Sequence, residues 1–418
     1  MINVLYVFDK LGIGGTEKSG LTFIDYINSN KLTNVYICSF FEKGDLFNDI
    51  KNKFKNVFFC NGEKSNLEKI IEKNSIKIIH FNRSSNRAYE IEKYVKEKNK
   101  NIIIVETTHF GKIAKKENID LVDYRIFVSN FTAMRFIKKN NIKINNFLRK
   151  NTIIYNPINI RDFNKFTKKE TTEFRRKLRI NDDEIVLAKY GRKDNLKISP
   201  LLVDVVDILS KKNIKFKFII VGVTDGIKKL IKDKNLNSYF IFIDKIMDKY
   251  ELNKFISSID ILVHASLIGE TFGYVYVESM YYGKPIITNA TPMFDNAQIE
   301  IIKNNKNGFI RNTPETISKE IIELINNKVT YKKISKNAHN FVIEKFSVDK
   351  LSNKLLDIYE NLISGKNVIQ NKEALVNLKN FINSYESNKY GNEDESLDLK
   401  ILEIKNFILK KYYSFLNK

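Results

Sequence analysis

Short apolar runs alternate with amphipathic segments along the first 160 residues. Seven runs rich in Val, Ile and Phe have the length of β-strands: Asn3–Phe8, Val35–Phe40, Val57–Cys60, Lys77–Phe81, Ile102–Thr107, Arg125–Ser129 and Thr152–Tyr155. Between several of them, apolar residues recur at helical spacing, as in Glu17–Asn28, Leu67–Lys73 and Asn86–Lys98. This alternation predicts βαβ units whose parallel sheet is covered by helices on both faces.

The sequence Asn156-Pro157-Ile158-Asn159 interrupts this pattern, and a second series begins near residue 184. Its predicted strands are Glu184–Tyr190, Lys215–Val221, Tyr239–Asp244, Ile261–Ala265, Pro285–Thr288 and Gly308–Ile310. The clearest helices are Tyr274–Tyr282 and Ile317–Asn326. The pattern predicts two doubly wound α/β domains, residues 1–160 and 161–345. Ligands of such sheets bind beyond the carboxyl ends of the strands, so we expect the site in a cleft between the two domains.

Strand signals stop near Gly365, and the remaining residues 365–418 are predicted to form a helical extension. Its two helical segments are Lys372–Tyr385 and Leu397–Leu416. The apolar residues of the second segment recur at helical spacing. This spacing favours packing against the body of the protein or, in an oligomer, against a second copy.

Composition and length exclude several classes of protein. Of the 418 residues 43% are apolar, which is enough for sizeable cores and excludes a disordered or fibrous chain. Cys38 and Cys60 have neither zinc-ligand nor redox-motif spacing, which argues against a disulfide scaffold. Because no signal peptide and no run of about 18 apolar residues is found, we expect a soluble cytoplasmic protein.

The chain is strongly basic, with 71 Lys and Arg against 49 Asp and Glu and a formal net charge of +22. Such a charge favours anionic partners. The excess is spread over the body of the chain, where much of it is typical of solvated surface, so no nucleic-acid partner is expected. The segment Arg135–Lys150 mixes basic and apolar residues, which predicts peripheral contact with the anionic inner face of the cell membrane.

The stretch from His264 to Pro285 contains the most informative pair of residues. A predicted strand ends at Ser266 and a helix begins near Gly273, where free backbone N–H groups suit a phosphate. Glu270 and Glu278 are eight positions apart, or about 12 Å along a helix. That separation suits two carboxylates that hold different hydroxyl groups of one extended ligand, and it exceeds that of an acid–base pair acting on one bond. Taken alone, the two glutamates would also fit a helix-start carboxylate and a surface one.

This stretch resembles the signature of retaining family 4 (group 1) glycosyltransferases of the GT-B fold. That signature has two glutamates separated by seven residues, in a Gly-Glu-X-Phe-Gly loop followed by a helix that ends in Gly-X-Pro. Four further matches fall in the family's order, from residue 1 to about 360: Gly14-Gly15-Thr16-Glu17, Gly191-Arg192 with Lys197, Ile219-Ile220-Val221-Gly222, and Asn307-Gly308-Phe309. Family members usually have glycine after the lysine, where this chain has Ile198.

The resemblance implies a GT-B fold of two Rossmann-like domains facing a cleft, with residues 346–364 as a crossover helix back to the first domain. It also implies that Arg192 and Lys197 hold the diphosphate of a nucleotide sugar. Fixed cations stabilise the charge that develops on such a leaving group. No Asp-X-Asp occurs in the chain, so no metal and no cofactor besides the nucleotide sugar is expected.

By the same resemblance, Glu278 accepts hydrogen bonds from the nucleotide ribose and Glu270 from sugar hydroxyls. The donor-binding residues implied in this way are Gly14, Gly15, Gly191, Gly222, Thr271, Phe272, Gly273 and Glu278.

The glycine-rich loop near residue 14 leaves an alternative open. Gly12-X-Gly14-X-X-Glu17 approaches a dinucleotide-binding fingerprint, but Glu17 stands where the third glycine belongs. As a transferase loop, Gly14 and Gly15 would let the backbone approach the donor phosphates or the acceptor.

Two histidines follow predicted strands of the first domain. His109 resembles the family's cleft histidine, which contacts the transferred sugar or the acceptor, although a purely structural role fits as well. His80 ends a strand that is predicted to be buried, and we assign it a structural role.

The sequence therefore predicts a retaining, metal-independent hexosyltransferase of bacterial polysaccharide biosynthesis. Its donor is expected to be a nucleotide sugar, uridine-linked rather than guanosine-linked, and its acceptor a hydroxyl of a surface glycan, a lipid-linked sugar or a protein. The alternatives are a nucleotide-sugar epimerase or phosphorylase of the same fold, or a basic protein that binds polyanions.

Overall fold

The computed structural model describes residues 1–83, 89–111, 116–366, 368, 372–386 and 408. The chain divides into two compact units. The first unit contains Met1–Asn159 and Phe346–Asn383, and the second contains Ile160–Lys345 together with the described residues from Ser384 onward.

Parallel strands form the centre of the first unit. Within its described residues there are seven: β1 (Asn3–Lys10), β2 (Asn34–Glu42), β3 (Val57–Phe59), β4 (Ile78–Arg83), β5 (Ile103–Thr108), β6 (Tyr124–Phe127) and β7 (Asn151–Ile153). Their order in the sheet is β3-β2-β1-β4-β5-β6-β7. The helices are α1 (Gly15–Ser29), α2 (Phe47–Lys53), α3 (Lys64–Lys73), α4 (Glu90–Lys98), α5 (Asn130–Asn140) and α6 (Ile144–Phe147). Each strand predicted from the first series is confirmed within a few residues.

Both faces of this sheet are buried, as the run of apolar residues in β1 requires. Leu5 and Val7 pack in one apolar cluster, and Val4, Tyr6 and Phe8 pack in another. Successive side chains of a strand point to opposite faces, so one apolar strand supplies two cores.

The second unit repeats this plan. Its described residues form six parallel strands: β8 (Ile185–Lys189), β9 (Phe216–Val221), β10 (Phe240–Ile243), β11 (Ile261–His264), β12 (Ile286–Thr288) and β13 (Phe309–Ile310). Their order is β10-β9-β8-β11-β12-β13. The helices are α7 (Lys168–Lys177), α8 (Leu201–Ser210), α9 (Asp225–Asp233), α10 (Lys249–Ser258), α11 (Tyr274–Tyr281), α12 (Gln298–Ile301), α13 (Pro314–Asn326) and α14 (Lys328–Phe346). The six strands predicted from the second series are confirmed.

The chain returns to the first unit after α14. The amide of Ile158 donates to the carbonyl of Phe346, and α15 (Val348–Ile363) follows. Tyr359 of this helix lies in the apolar cluster that contains Val4, Tyr6 and Phe8, and its hydroxyl is 2.5 Å from Nδ1 of His80. Burial lowers the pKa of His80 to about 3, and its Nε2 is 2.7 Å from the Thr107 hydroxyl. His80 therefore has the structural role expected of it.

The helix predicted over Lys372–Tyr385 is confirmed as α16 (Lys372–Glu386). The helix predicted over Leu397–Leu416 lies outside the described residues, apart from residue 408. Among the helices that the structure describes, none is both long and apolar enough to cross a membrane.

The segment Arg135–Lys150, for which membrane contact was predicted, uses its apolar residues internally. Phe136, Ile137, Phe147 and Leu148 are buried in the first unit, in the cluster that also contains Leu5. The exposed side chains of this segment are therefore basic or polar. Cys38 and Cys60 are buried free thiols whose sulfur atoms lie 3.2 Å apart.

Candidate active site

The strand order of the second unit brings together two loops that are far apart in the sequence. β8 and β11 are neighbours in the sheet, and the crossover connections leave them in opposite directions. This is the switch point of a doubly wound sheet, where a crevice forms at the carboxyl ends of the strands. Residues 190–199 follow β8 and residues 265–273 follow β11, so both loops border the same crevice.

The loop after β11 is anchored by the loop after β12. The Glu270 amide donates to Oε1 of Gln298 over 3.1 Å, and the Glu270 carbonyl accepts from the Ala297 amide over 2.8 Å. Gln298 is in turn held by Nε2, which donates to the carbonyl of Asn289 and to the hydroxyl of Thr291. The backbone of Glu270 is thus hydrogen-bonded on both sides before any ligand binds.

Gly269 makes this close approach of the two loops possible. Its φ is +60°, and a Cβ at this position would lie 1.8 Å from the carbonyl oxygen of Asp295. Only glycine satisfies both conditions without displacing the second loop. The glycine before Glu270 therefore places that carboxylate.

Lys197 and Glu270 form an ion pair across the crevice. Nζ of Lys197 lies 2.8 Å from Oε2 of Glu270 and also donates to the Gly269 carbonyl over 2.6 Å. The two side chains are 16% and 19% exposed, so this pair is partly shielded from water and open to a ligand. Ile198, the residue after the lysine, is buried in the core beneath the loop.

The charges around Glu270 keep it ionised. Burial alone would raise the pKa of Glu270, but the Lys197 ammonium and the imidazole of His264 outweigh it and lower the pKa to about 2. His264 is itself buried, which lowers its pKa and leaves the ring neutral; Nε2 is 3.5 Å from Oε1 of Glu270. At any ordinary assay pH, Glu270 is therefore a hydrogen-bond acceptor and not an acid.

Glu278, the second glutamate, lies inside α11 and is 6% exposed. The Tyr190 hydroxyl lies 3.1 Å from its Oε2, and 2.9 Å from the Val275 carbonyl. Burial and the nearby carboxylate raise the pKa of Tyr190, so its hydroxyl remains protonated. Tyr190, the first residue after β8, thus holds α11 and its glutamate in place.

Arg192 is exposed at the start of the β8 loop, and Gly222 supports that loop from below. Gly222 has a φ of +77°, and a Cβ on it would lie 2.4 Å from the Gly191 carbonyl oxygen. The strand-ending glycine therefore permits close contact between the β8 and β9 loops.

Replacing Gly222 with alanine should destabilise the second unit by roughly 1 to 3 kcal/mol, because the new methyl group meets fixed backbone at a positive φ. It should also weaken binding of the nucleotide that the sequence predicts as ligand, because the Gly191-Arg192 loop must move. Chemical denaturation and calorimetric titration with UDP measure both effects. Gly226→Ala is the matched control, since a Cβ at that position in α9 would meet nothing within 4 Å beyond its chain neighbours and the backbone of its own helix. Equal behaviour of the two variants would contradict the role given to Gly222.

The residues expected to bind the donor divide between the two units. Those near the β8, β9 and β11 loops of the second unit are Gly191, Arg192, Lys197, Gly222, Glu270, Thr271, Phe272, Gly273 and Glu278. Gly273 is the N-cap of α11, and Phe272 is buried before it. Gly14, Gly15 and His109 belong to the first unit.

In the first unit, Gly14 is the N-cap of α1, and its carbonyl accepts from the Lys18 amide. His109 directly follows the Thr108 end of β5 and is 4% exposed. Burial lowers its pKa to about 3, so the ring is neutral. Its Nε2 has no hydrogen-bond partner among the described residues. The contact of His109 with sugar or acceptor stays a prediction.

Three residues of this site were not selected from the sequence: Lys189, Tyr190 and His264. A charged residue inside the apolar run of β8 was a signal for Lys189, and it was not used. Tyr190 and His264 look like ordinary strand residues. In the described part of the chain, no group of three or more His, Cys, Asp or Glu is arranged to hold a metal ion.

Comparison with models of protein families finds a match within the second unit. Residues 170–341 match the family model described as "Glycosyl transferases group 1". Two curated relatives are each 28% identical: the alpha-monoglucosyldiacylglycerol synthase of Acholeplasma laidlawii, over 53% of this chain and 55% of that protein, and the O-antigen biosynthesis glycosyltransferase WclY of Escherichia coli, over 51% and 56%. The chain thus spans about half the length of the curated relatives it matches.

Solved structures share the fold over most of the chain. A glycosyltransferase from Rickettsia africae has a TM-score of 0.73 and 20% identity, covering 87% of this chain and 98% of that one. Anabaena HepE, crystallised with UDP and glucose, has a TM-score of 0.71 and 17% identity, covering 86% and 100%. With its two parallel sheets, the chain has the GT-B fold that the sequence predicted.

Proposed function

We propose, on the premise that residues 170–341 are a group 1 glycosyl transferase domain, that the protein transfers a sugar from a uridine diphosphate sugar to a hydroxyl group. The observation that carries this proposal is the Lys197–Glu270 ion pair beside the start of α11. One cation and one ionised acceptor lie within 3 Å of each other at the switch point of the sheet. The cation suits the diphosphate and the carboxylate suits the sugar, and these are the two groups that the scissile bond joins.

The positive groups act on the leaving group. As the glycosidic bond breaks, negative charge develops on the diphosphate, and groups already fixed in place stabilise it without reorganising. Lys197 is fixed by the Gly269 carbonyl and by Glu270, whereas Arg192 is exposed and can close on a bound phosphate. The N-terminus of α11, whose N-cap is Gly273, supplies further backbone donors.

The two glutamates recognise hydroxyl groups. Glu270 is ionised and accepts hydrogen bonds from the sugar, and Glu278 accepts them from the ribose. The acceptor hydroxyl attacks the anomeric carbon on the face that the diphosphate leaves, which retains the configuration and requires no protein nucleophile. The C–O bond to the acceptor forms as the C–O bond to the diphosphate breaks, and the hydroxyl proton passes to the departing phosphate oxygen. We propose independence from metal because Lys197 and Arg192 supply the positive charge that stabilises the diphosphate.

The donor and acceptor classes are supported by relatives. HepE was crystallised with UDP, and also with UDP-glucose, which favours a uridine nucleotide. The names of the two curated relatives specify a glycolipid and an O-antigen. We therefore propose a lipid-linked or surface glycan acceptor, with a protein acceptor as the alternative, for an enzyme acting in the cytoplasm near an anionic membrane.

A melting-temperature screen tests the proposal. UDP at about 100 times its Kd should stabilise the second unit by about 2.7 kcal/mol, which is a rise of roughly 5 to 10 °C in its transition. GDP and ADP at the same concentration should give smaller shifts, and EDTA should change none of them. The absence of a shift with any nucleoside diphosphate would contradict the proposal, and a shift abolished by EDTA would contradict metal independence.

Product analysis separates the proposed reaction from its alternatives. Incubation with UDP-sugars and candidate acceptors should yield a glycoside whose anomeric proton shows the configuration of the donor. Isomerised donor would indicate an epimerase, and phosphate-dependent release of sugar would indicate a phosphorylase.

A further inference from the structure

A buried lysine ends the central strand of the second unit. Lys189 is the last residue of β8, is paired in register with Ile220 of β9, and has no exposed surface. Its Nζ has no hydrogen-bond partner within the part of the chain that is described. Lysine is almost never fully buried unless it is paired, and an ammonium without an acceptor in such a place is unfavourable.

The ammonium lies beside the backbone of the Gly191-Arg192 loop. A Cβ built on Gly191 would lie 3.7 Å from Nζ of Lys189, so the absence of a side chain there leaves room next to the cation. That space borders the loop proposed to hold the diphosphate. An anion bound to this loop therefore lies next to the Lys189 ammonium, which needs a hydrogen-bond acceptor.

Among the described residues, no nearby carboxylate accepts a hydrogen bond from Lys189. Glu270 and Asp194 favour its charged form from a distance, but Glu270 is already paired with Lys197. Lys197 and burial favour the neutral form, and the buried ring of His264 is uncharged. Burial has the largest effect, and the pKa of Lys189 is lowered to about 8.

We propose that Lys189 is an additional donor-binding residue, whose ammonium contacts the diphosphate of the nucleotide from beneath the Gly191-Arg192 loop. This inference rests on the proposed function, because it assigns a third cation to the same site. A bound diphosphate supplies the acceptor that the ammonium lacks, and the charged form becomes the stable one. Binding of the donor is then coupled to uptake of a proton.

The direction of this coupling follows from linkage. Below pH 7, Lys189 of the free protein is already protonated, so UDP binding takes up only a small fraction of a proton. Above pH 8 most free Lys189 is neutral, and the anion raises its pKa, so binding takes up most of one proton. UDP affinity should therefore fall as the pH rises from 8 to 9, approaching tenfold per pH unit.

Isothermal titration of the full-length protein with UDP, in buffers of different ionisation enthalpy, measures this uptake. At pH 8.5 the wild type should take up more than half a proton per UDP, and at pH 7.0 much less. Lys189→Met, which keeps the apolar surroundings filled, should abolish the difference and weaken UDP binding at pH 7.0 about 10- to 100-fold. Because both proteins bind the same ligand, titration of UDP itself cancels in the comparison.

Lys284→Met is the matched control. Lys284 is partly buried in the second unit and its pKa is also lowered to about 8, but it precedes β12 and donates to the Ser257 carbonyl. Its loss should leave UDP affinity and proton uptake unchanged. UDP binding by the wild type with no proton uptake at pH 8.5 would overturn the role of Lys189 and leave the proposed function intact, even if the variant failed to fold. Failure of the wild type to bind any nucleoside diphosphate would overturn both.

Discussion

Lys197→Ala should lower kcat/KM for sugar transfer by two to three orders of magnitude. Removal of a fixed group that stabilises developing charge costs about 3 to 4 kcal/mol of transition-state stabilisation. The same substitution removes the cation 2.8 Å from Glu270 and raises the pKa of that carboxyl group. The sugar is then less well oriented and the leaving group is less well stabilised. The fall in kcat/KM should therefore come from a lower kcat as well as from a higher KM.

A lysine of the same loop provides the control. Lys193 is exposed, and its ammonium lies 3.7 Å from Asp225 at the protein surface. Lys193→Ala should leave kcat/KM within about threefold of wild type, because an exposed ion pair contributes little. Steady-state rates of UDP release measure both variants, and circular dichroism checks that both are folded. Activity of Lys197→Ala near that of Lys193→Ala would remove Lys197 from the mechanism.

Glu278→Ala should raise KM for the donor and lower kcat/KM about 100-fold. The buried carboxylate is proposed to accept hydrogen bonds from the ribose, and hydrogen bonds to a charged group are each worth about 1.5 to 3 kcal/mol. Calorimetric titration with UDP measures the loss directly in the ground state. Glu323→Ala, on the exposed surface of α13, is the control and should bind UDP as the wild type does.

Tyr190→Phe separates ligand binding by Glu278 from a purely structural role. This change removes the hydroxyl 3.1 Å from the carboxylate but leaves the carboxylate itself. If Glu278 binds ribose, Tyr190→Phe should cost at most about tenfold in UDP affinity, much less than Glu278→Ala. Equal losses in both variants, with equal falls in melting temperature, would mean that Glu278 only holds α11 to the β8 loop.

Most of the fold could be predicted from the sequence because a buried strand or helix requires a particular pattern of apolar residues within itself. β1 is apolar at every position from Val4 to Phe8, as a strand with a core on each face must be. The acidic pair was also predictable, since Gly269-Glu270 and the start of α11 lie in one short stretch. The boundaries were less accurate: the strand predicted over Arg125–Ser129 ends at Phe127, because Ser129 instead caps α5 with its side chain.

The partners of the site residues could not be predicted, because they come from distant loops. Lys197 and Glu270 are 73 positions apart, and Gln298 reaches the Glu270 amide from the start of α12. Lys189 shows the same limit, because its lack of a hydrogen-bond partner among the described residues depends on everything packed around it. Residue spacing within one helix or strand contains no information about such contacts.

The sequence by itself determined two series of parallel strands, their helices, and which residue types could hold a phosphate and a sugar. It did so because apolar periodicity and glycine-rich turns act over only a few neighbouring positions. Only the tertiary structure decided that β8 lies beside β11. That adjacency places the Lys197 ammonium against Glu270 and buries the Lys189 ammonium with no partner in the described part of the chain, since the electrostatics of a site depend on distance in space and on exclusion of water.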